Sequence, residues 1–474
     1  MKFLPPAALL RRLDNRLDVL TGGARDMPDR QRTLRGTLDW SFALLNQFER
    51  RILARLGLFV GGFTLEAAEA MNRDLDVDVV EVLFSLADKS LLRHQFDGDE
   101  PRLSMLEIVR EYAREKLVET ESPAVPSISH RDYFLDFTRR ANEGLLGHEQ
   151  TVWLDSVERE NANLRAVLRR SLTHGEYPAV VEIGWNLWRY WWIRGQHAEG
   201  RQWMQDVLKA GGNELTPTER GRASFVAAAM AIAQTDFTAA GPWVQACLEV
   251  ARETGDHFLE GAGRLGAGLI ALYSGDLPAA GANLEKGLAV FKEQRDWWGQ
   301  AHLLHYLWRL EAVQGKGAAE IGKLRESVQL FRENGDKSGL VLVLHDLAMT
   351  TLLAGDQTEA AELLEEGMRY SQELRNKWYI AYCLEGLASV AIARGDLTAG
   401  ARLFGLAERH REDVQTPQAP FDLLLYAPYL ERLERGLDAE ELARQRSLGR
   451  DLSSEEISRR NLAAPNALRQ IWKG

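Results

Sequence analysis

The sequence predicts a mostly α-helical fold, with a small front domain of helices and one hairpin followed by an α-solenoid of antiparallel helix pairs. Turn signals recur every forty residues, at Gly275-Asp276, Gly315-Lys316, Gly355-Asp356 and Gly395-Asp396, and the phase runs back to Thr235-Asp236 and Gly195-Gln196. A second series lies halfway between, at Gly175-Glu176, Gly255-Asp256, Arg295-Asp296, Gly335-Asp336 and Arg375-Asn376. Residues 36 to 120 break this phase. A turn about every twenty residues, with apolar residues at helical spacing between turns, describes stacked helix pairs.

Packing columns keep the same register. Leu187, Ala227, Ala267, Leu307, Leu347 and Leu387 precede the turns, where one helix must touch its partner. The second helices repeat small residues at Gly200, Ala240, Ala280, Ala360 and Gly400, and again at Cys247, Gly287, Ser327, Gly367 and Ala407. Met204, Val244, Leu284, Leu324, Leu364 and Phe404 fill the layer between. The order of small, Gly-Asp and Ala positions resembles the tetratricopeptide repeat. The period of forty exceeds that family's ~34, and Trp188, Trp308 and Glu320 stand where the family prefers small residues. The solenoid is expected over residues 129–415.

In the tetratricopeptide pattern the first helix of each pair lines a concave groove. The groove-facing positions fall on Glu182, Trp185, Arg189, Trp192, Arg222, Phe225, Tyr273, His302, His305, Arg309, His345, Tyr382 and Glu385. Aromatic side chains and arginines are the anchor types of recognition surfaces, so a protein, peptide or small ligand is the expected occupant. The aromatics of WNLWRYWWIRG can equally cap the first repeat's core, since large rings usually bury themselves. His302, His305 and His345 raise a metal site, but adjacent helices stand ~10 Å apart and no carboxylate or cysteine obviously completes a four-ligand set. Cys247 and Cys383 occupy packed positions and are expected to be inert buried thiols.

The front domain, residues 36–120, begins with the helix TLRGTLDWSFALL. Asn46 with Glu49 makes a capping-box start for NQFERRILARLGLF, and Thr64 can cap TLEAAEAM. VVEVLFSLADK is another helix, LLRHQF and PRLSM alternate as a hairpin, and LEIVREYAREKLVE returns to helix. Helices followed by a hairpin suggest a winged helix. Acids about balance bases here and the hairpin tip Asp97-Gly98-Asp99-Glu100 is acidic, so direct nucleic-acid contact is not expected. The prolines of ESPAVPS predict a short stiff hinge over 121–128.

GGARDMPDRQRTLRGTLDWSFALL, then FVGGFTLEAAEA, LADKSLL and MLEIVREYA, resembles the bacterial STAND signal-transduction ATPases of the transcriptional-regulator type. In that family a P-loop ATPase domain precedes a winged helix and tetratricopeptide-like repeats. ARLFGLAERHREDVQ and the helical cap expected over 416–474 resemble the family's ending. The sequence holds no GxxxxGK[ST], hence no amide cradle with its Lys and hydroxyl for a triphosphate and magnesium. Residues 1–35 are therefore expected to be the remnant of the junction between an ATPase domain and the winged helix. No cofactor is expected in this chain, and ATP or ADP enters only if an ATPase domain is supplied upstream or in trans. Plant and animal relatives carry a Met-His-Asp nucleotide sensor where this chain has Met105, Leu106 and Glu107.

At 474 residues and 45% hydrophobic content the chain can bury a large core, and its net charge of −11 gives no general drive toward nucleic acid or an anionic membrane. Two distant cysteines suit a reducing cytosol, and no apolar run approaches the ~18 residues of a membrane span. The sequence lacks GxSxG, HExxH, zinc spacing and a dinucleotide fingerprint, so no enzyme is expected. The resemblance implies a cytoplasmic, non-catalytic sensor module, with an ATPase or output domain as a partner in cis or trans. The competing reading is a protein scaffold with no switching role.

Overall fold

In the computed structural model of the chain, residues 34–97, 100–414, 416 and 418–452 are described. The stretch Thr21 to Arg32, the hairpin tip at Gly98 and Asp99, and the tail from residue 453 lie outside the described residues. Two compact units divide the chain: one holds the residues up to Arg139 with Val157–Ala179, the other Arg140–Ser156 with Val180 onward.

The first unit runs α1 (Leu34–Ala43), α2 (Gln47–Leu56), β1 (Phe63–Thr64), α3 (Leu65–Met71), α4 (Val79–Asp88), β2 (Arg93–Asp97), β3 (Glu100–Ser104) and α5 (Glu107–Thr120). Asn46 Oδ1 accepts the Glu49 N–H at 2.9 Å and the Glu49 carboxylate accepts the Asn46 N–H at 2.8 Å, so α2 starts on the expected capping box. Thr64 caps α3 by accepting the Ala67 N–H at 3.1 Å. Between α2 and β1 the chain turns at Gly61 and Gly62, whose φ of 82° and 100° only glycine adopts without strain. The antiparallel sheet has the order β1-β3-β2, with Leu103 opposite both Phe63 and His94. Leu53, Phe63, Leu83, Leu86, Leu103 and Tyr112 are buried beneath it.

The segment expected as a hinge is shorter than 121–128. Ala124 already opens α6 (Ala124–Gly144), and Pro126 sits in its first turn, where a missing N–H forfeits no intrahelical bond. The second half of α7 (Gln150–Thr173) also belongs with the front domain rather than with the solenoid. Asn163 accepts the Val60 N–H at 2.6 Å and donates to the Gly62 carbonyl at 2.9 Å, while Glu160 pairs with Arg102 of β3. These buried polar side chains tie α7 to the loop before the sheet, a link that proline content does not signal.

The second unit continues with α8 (Tyr177–Ile193), α9 (His197–Gly211), α10 (Pro217–Ala233), α11 (Phe237–Thr254), α12 (His257–Tyr273), α13 (Leu277–Glu293) and α14 (Trp297–Val313). There follow α15 (Ile321–Asn334), α16 (Lys337–Leu353), α17 (Gln357–Glu373), α18 (Lys377–Ala393), α19 (Leu397–Asp413), α20 (Pro420–Gly436) and α21 (Ala439–Asp451). The repeating turn has a simple mechanism. Gly275, at φ 82°, ends α12 with its N–H on the Leu272 carbonyl, and the Asp276 N–H reaches back to the Ala271 carbonyl at 2.9 Å. The Asp276 carboxylate then caps α13 by accepting the Ala279 N–H at 3.0 Å. Thr235, Arg295 and Arg375 adopt the same left-handed backbone, with φ of 58°, 55° and 49°, so the period survives where glycine is missing. The column of Met204, Val244, Leu284, Leu324, Leu364 and Phe404 is buried throughout.

At the C-terminal end α19 and α21 cross with their backbones in contact. A methyl on Gly449 would stand 1.9 Å from the Arg402 carbonyl oxygen, and one on Gly405 2.1 Å from that of Arg446. Gly449→Ala is expected to force the helices apart and cost about 1–3 kcal/mol. Chemical denaturation followed by circular dichroism measures this, and an unchanged midpoint would contradict the close crossing.

The superhelix of this unit closes on itself. Gln150 donates to Asp336 at 2.9 Å and accepts the Ser338 N–H at 3.2 Å, bridging α7 to the start of α16. Arg194 donates to the Leu374 carbonyl at 2.7 Å, and Asn376 donates to the carbonyl of Ile193. Trp188 meets Trp298 edge-on at 5.5 Å, with the Arg189 guanidinium 5.3 Å from the Trp298 ring. The concave face therefore wraps around an interior.

Candidate functional site

The thirteen positions expected to face the groove fall into several clusters, and Arg189, Trp192, Phe225, Tyr273, His302, His305, Arg309 and Tyr382 among them line two adjoining cavities. Nearest the first repeat, Arg222 lies over the Trp185 ring at 5.0 Å, and Trp185 packs edge-on against Phe225 and Phe258 at 5.6 and 5.3 Å. Glu182 is half-buried on the same helix. Arg189 donates to Asn142 at 3.1 Å and lies over Trp188 at 4.3 Å. His302 sits between Trp298 and Phe331, ring centroids 4.5 and 4.9 Å away. Burial, with His305 and Arg189 nearby, holds the His302 imidazole down to about 3, so it is neutral.

The centre is Asp346, which the sequence reading did not single out. Its carboxylate accepts from His305 Nε2 at 2.8 Å, Arg309 Nε at 2.7 Å, His345 Nδ1 at 3.1 Å and the Tyr382 hydroxyl at 2.8 Å. Burial opposes its charge, but the Arg309 guanidinium and these donors overcome that and hold the carboxyl well below the ordinary range. Arg309 also donates to Tyr382 at 2.6 Å and lies over the Phe421 ring at 4.6 Å. Helix α20 supplies Asp422, 3.6 Å from Arg309, and Tyr426, whose hydroxyl is 2.7 Å from His345 Nε2. Glu385 forms a two-pronged pair with Arg411, one arm at 2.7 Å, and accepts from Gln418 at 2.7 Å.

His305, Arg309, His345 and Tyr382 thus direct most of their polar atoms to Asp346, to one another and to α20, and Glu385 pairs with Arg411 and Gln418, so the expected open groove is largely filled by internal contacts. The physical reason is superhelical closure combined with the return of α20 onto the inner helices. Among the described residues no group of three or more His, Cys, Asp or Glu side chains is arranged to hold a metal; a carboxylate stands between His305 and His345. Burial pushes the thiols of Cys247 and Cys383 up to about 12, which leaves them unreactive.

Beside the Asp346 cluster lies a cavity of about 520 Å³, lined by Trp192, Tyr273, Tyr306, Arg309, Trp378 and Asp422 among others. Tyr273 stacks on Phe237 at 4.8 Å and Trp378 on Tyr382 at 5.4 Å, so flat ring faces frame it. A smaller chamber of about 90 Å³ adjoins it, walled by Trp188, Phe225, Val244, Leu269 and Trp298. The volume of the larger lies in the range of small-molecule sites. Of its lining, the sequence reading found Trp192, Tyr273, His305, Arg309 and Tyr382 and missed Tyr306, Trp378 and Asp422. Asp346 did leave a signal: it is a lone acid in KSGLVLVLHDLAMTTLL, a helix apolar on every side, where a charge must be paired.

Within the front domain, helices α2, α3 and α4 followed by the β2–β3 wing keep the element order of a winged helix, and a helical-repeat solenoid follows the domain. The family model described as a winged helix-turn-helix domain matches residues 45–118. Among known proteins, the chain is 33% identical over 212 residues to the "Putative HTH-type transcriptional regulator" of Mycobacterium tuberculosis strain H37Rv, covering 44% of this chain and 24% of that relative. It is 35% identical over 127 residues to an uncharacterized protein of the same strain, covering 26% of this chain and 32% of the other. The chain thus spans about a quarter of the length of the first relative and a third of the second. Among solved structures, a signal transduction ATPase with numerous domains (STAND) with a tetratricopeptide repeat sensor from Pyrococcus horikoshii aligns over 93% of this chain and 68% of its own. The TM-score is 0.49 at 16% identity. Aspartyl phosphate phosphatase F from Bacillus subtilis aligns over 83% and 96%, with a TM-score of 0.40 at 10% identity.

Proposed function

We propose that this chain is a non-catalytic sensor module of a STAND-type, transcription-regulating system, and that the repeats capture a small molecule rather than a protein or peptide. The observation that carries this is the 520 Å³ cavity inside the closed superhelical turn, walled on one side by a charge cluster that includes α20. A ligand seated there touches residues from both ends of the repeat unit, so its presence alters how that unit holds together. Coupling of this kind needs differential affinity for two states, and the ATPase or output domain that would read it is supplied in cis or in trans. The winged helix is proposed to relay the signal rather than to read DNA: its α4 exposes the acids Glu81 and Asp88, the wrong sign for phosphate.

The alternative is a scaffold that bridges proteins without a switch. Transcript profiles of the source cells separate the two, comparing wild type, a deletion of the gene, and a chromosomal Ala233→Trp variant that fills the larger chamber. A sensor is expected to change a limited transcript set on deletion, and the filled variant to depart from wild type in that same set. A deletion without transcript changes sinks the regulatory reading. A deletion with changes and a silent Ala233→Trp favours the scaffold.

A further inference from the structure

Resting on that reading, we infer that the cavity takes an uncharged amphipathic small molecule, with a flat hydrogen-bonding head in the larger chamber and a short apolar tail in the smaller one. The two chambers share Trp192, Ile232, Leu269 and Tyr306 in their walls, so they adjoin, and one molecule is inferred to span them. The smaller is walled mainly by apolar side chains, with Gln150, Arg189, His302, Asp336 and Ser338 also in its lining, and the apolar part of the wall suits a short tail. Flat rings frame the larger, and a planar head stacks on such faces.

Charge and hydrogen bonding set the head. The cations lining the larger chamber already have acids at contact distance: Arg309 with Asp346 at 2.7 Å, Lys377 with Asp413 at 2.8 Å, and Arg194 and Arg375 sharing Asp155 at 2.6 and 3.4 Å. Asp422 in turn faces Arg309 at 3.6 Å and accepts from the Tyr382 hydroxyl at 3.4 Å. An ionised head would compete with a charged group already engaged in one of these contacts. Among the buried polar atoms on the lining residues, His305 Nδ1 and Trp378 Nε1 have no hydrogen-bond partner among the described residues. His305 donates through Nε2 to Asp346, so its Nδ1 is a bare acceptor, while the indole N–H is a donor. A head carrying one donor and one acceptor, such as a carboxamide, is complementary in kind to that acceptor and donor.

The test uses four matched probes on the full chain, titrated by calorimetry: 4-butylbenzamide, benzamide, 4-butylbenzoate and 4-butylbenzylammonium. 4-Butylbenzamide is expected to bind one to one and at least tenfold more tightly than each of the others. Ala229→Phe, which fills the smaller chamber, is expected to weaken 4-butylbenzamide at least tenfold and leave benzamide within twofold. Ala229→Val gives a graded loss and serves if the larger side chain disturbs folding, as judged by the circular dichroism melt. Equal or tighter binding of the benzoate or the ammonium overturns the uncharged head, and indifference to both Ala229 variants overturns the tail. If none of the four binds while Ala233→Trp still alters the transcripts, the ligand class is wrong and the sensor reading stands. If Ala233→Trp is silent as well, both fall.

Discussion

Asp346→Asn is expected to lower the stability of the repeat unit by about 3–5 kcal/mol, the cost of breaking a buried ion pair from one side. The substitution keeps the shape of the side chain and removes its charge. Arg309 is then left inside the protein, 6% exposed, with Asp422 at 3.6 Å as its remaining acid. The amide also turns a donor toward His345, Tyr382 or Arg309, each of which now donates to a carboxylate oxygen. Denaturant unfolding followed by tryptophan emission measures the loss. The companion variant Asp346→Asn with Arg309→Met is expected to be less unstable than Asp346→Asn alone, because it removes the stranded charge. A single variant as stable as wild type would show that Asp422 takes over as the counter-ion and that Asp346 is not the hub.

Arg55→Met should unfold the winged-helix domain more easily, by about 3 kcal/mol, the low end of the same range. The guanidinium is wholly buried and bonds Asp74 and Glu121, donating to Glu121 at 2.7 and 3.0 Å. Those carboxylates are 39% and 12% exposed, so Asp74 regains water once its partner is gone, which is why the low end is expected. Burial works against the Arg55 charge, yet the two acids hold its pKa above the ordinary arginine value. Hydrogen exchange of the α2 and α5 amides reports this locally. Unchanged protection in both helices would mean that methionine packs the site as well as the ion pairs do.

Much of the architecture was legible because it is local. A glycine that ends one helix in the left-handed region and an aspartate that caps the next are adjacent in sequence, so the pair marks both helix ends within two residues, as at Gly275 and Asp276. The inner-face register followed from the same phase, which is why Trp192, Arg309 and Tyr382 were found. The partners of those residues were not legible. Asp346 stands one repeat beyond Arg309, and the contacts from Gln150 to Asp336 and from Arg194 to Leu374 span 186 and 180 residues. Such meetings depend on rotation accumulated over several repeats, which no single repeat displays. The bounds of the hinge were not legible for a related reason: prolines in ESPAVPS signal stiffness, but Pro126 also fits the first turn of a helix that opens at Ala124.

Closure of the superhelix also constrains how this protein can evolve. An open solenoid, whose repeats touch only their neighbours, can gain or lose a unit by unequal recombination and remain a working solenoid. Here the wall of the cavity is sealed by residues lying several repeats apart, Gln150 with Asp336 and Arg194 with Leu374. A forty-residue duplication or deletion anywhere between residues 195 and 335 would rotate those partners out of reach and open the chamber. Descendants of this sequence are therefore expected to vary in the side chains around the cavity while being held to one repeat number.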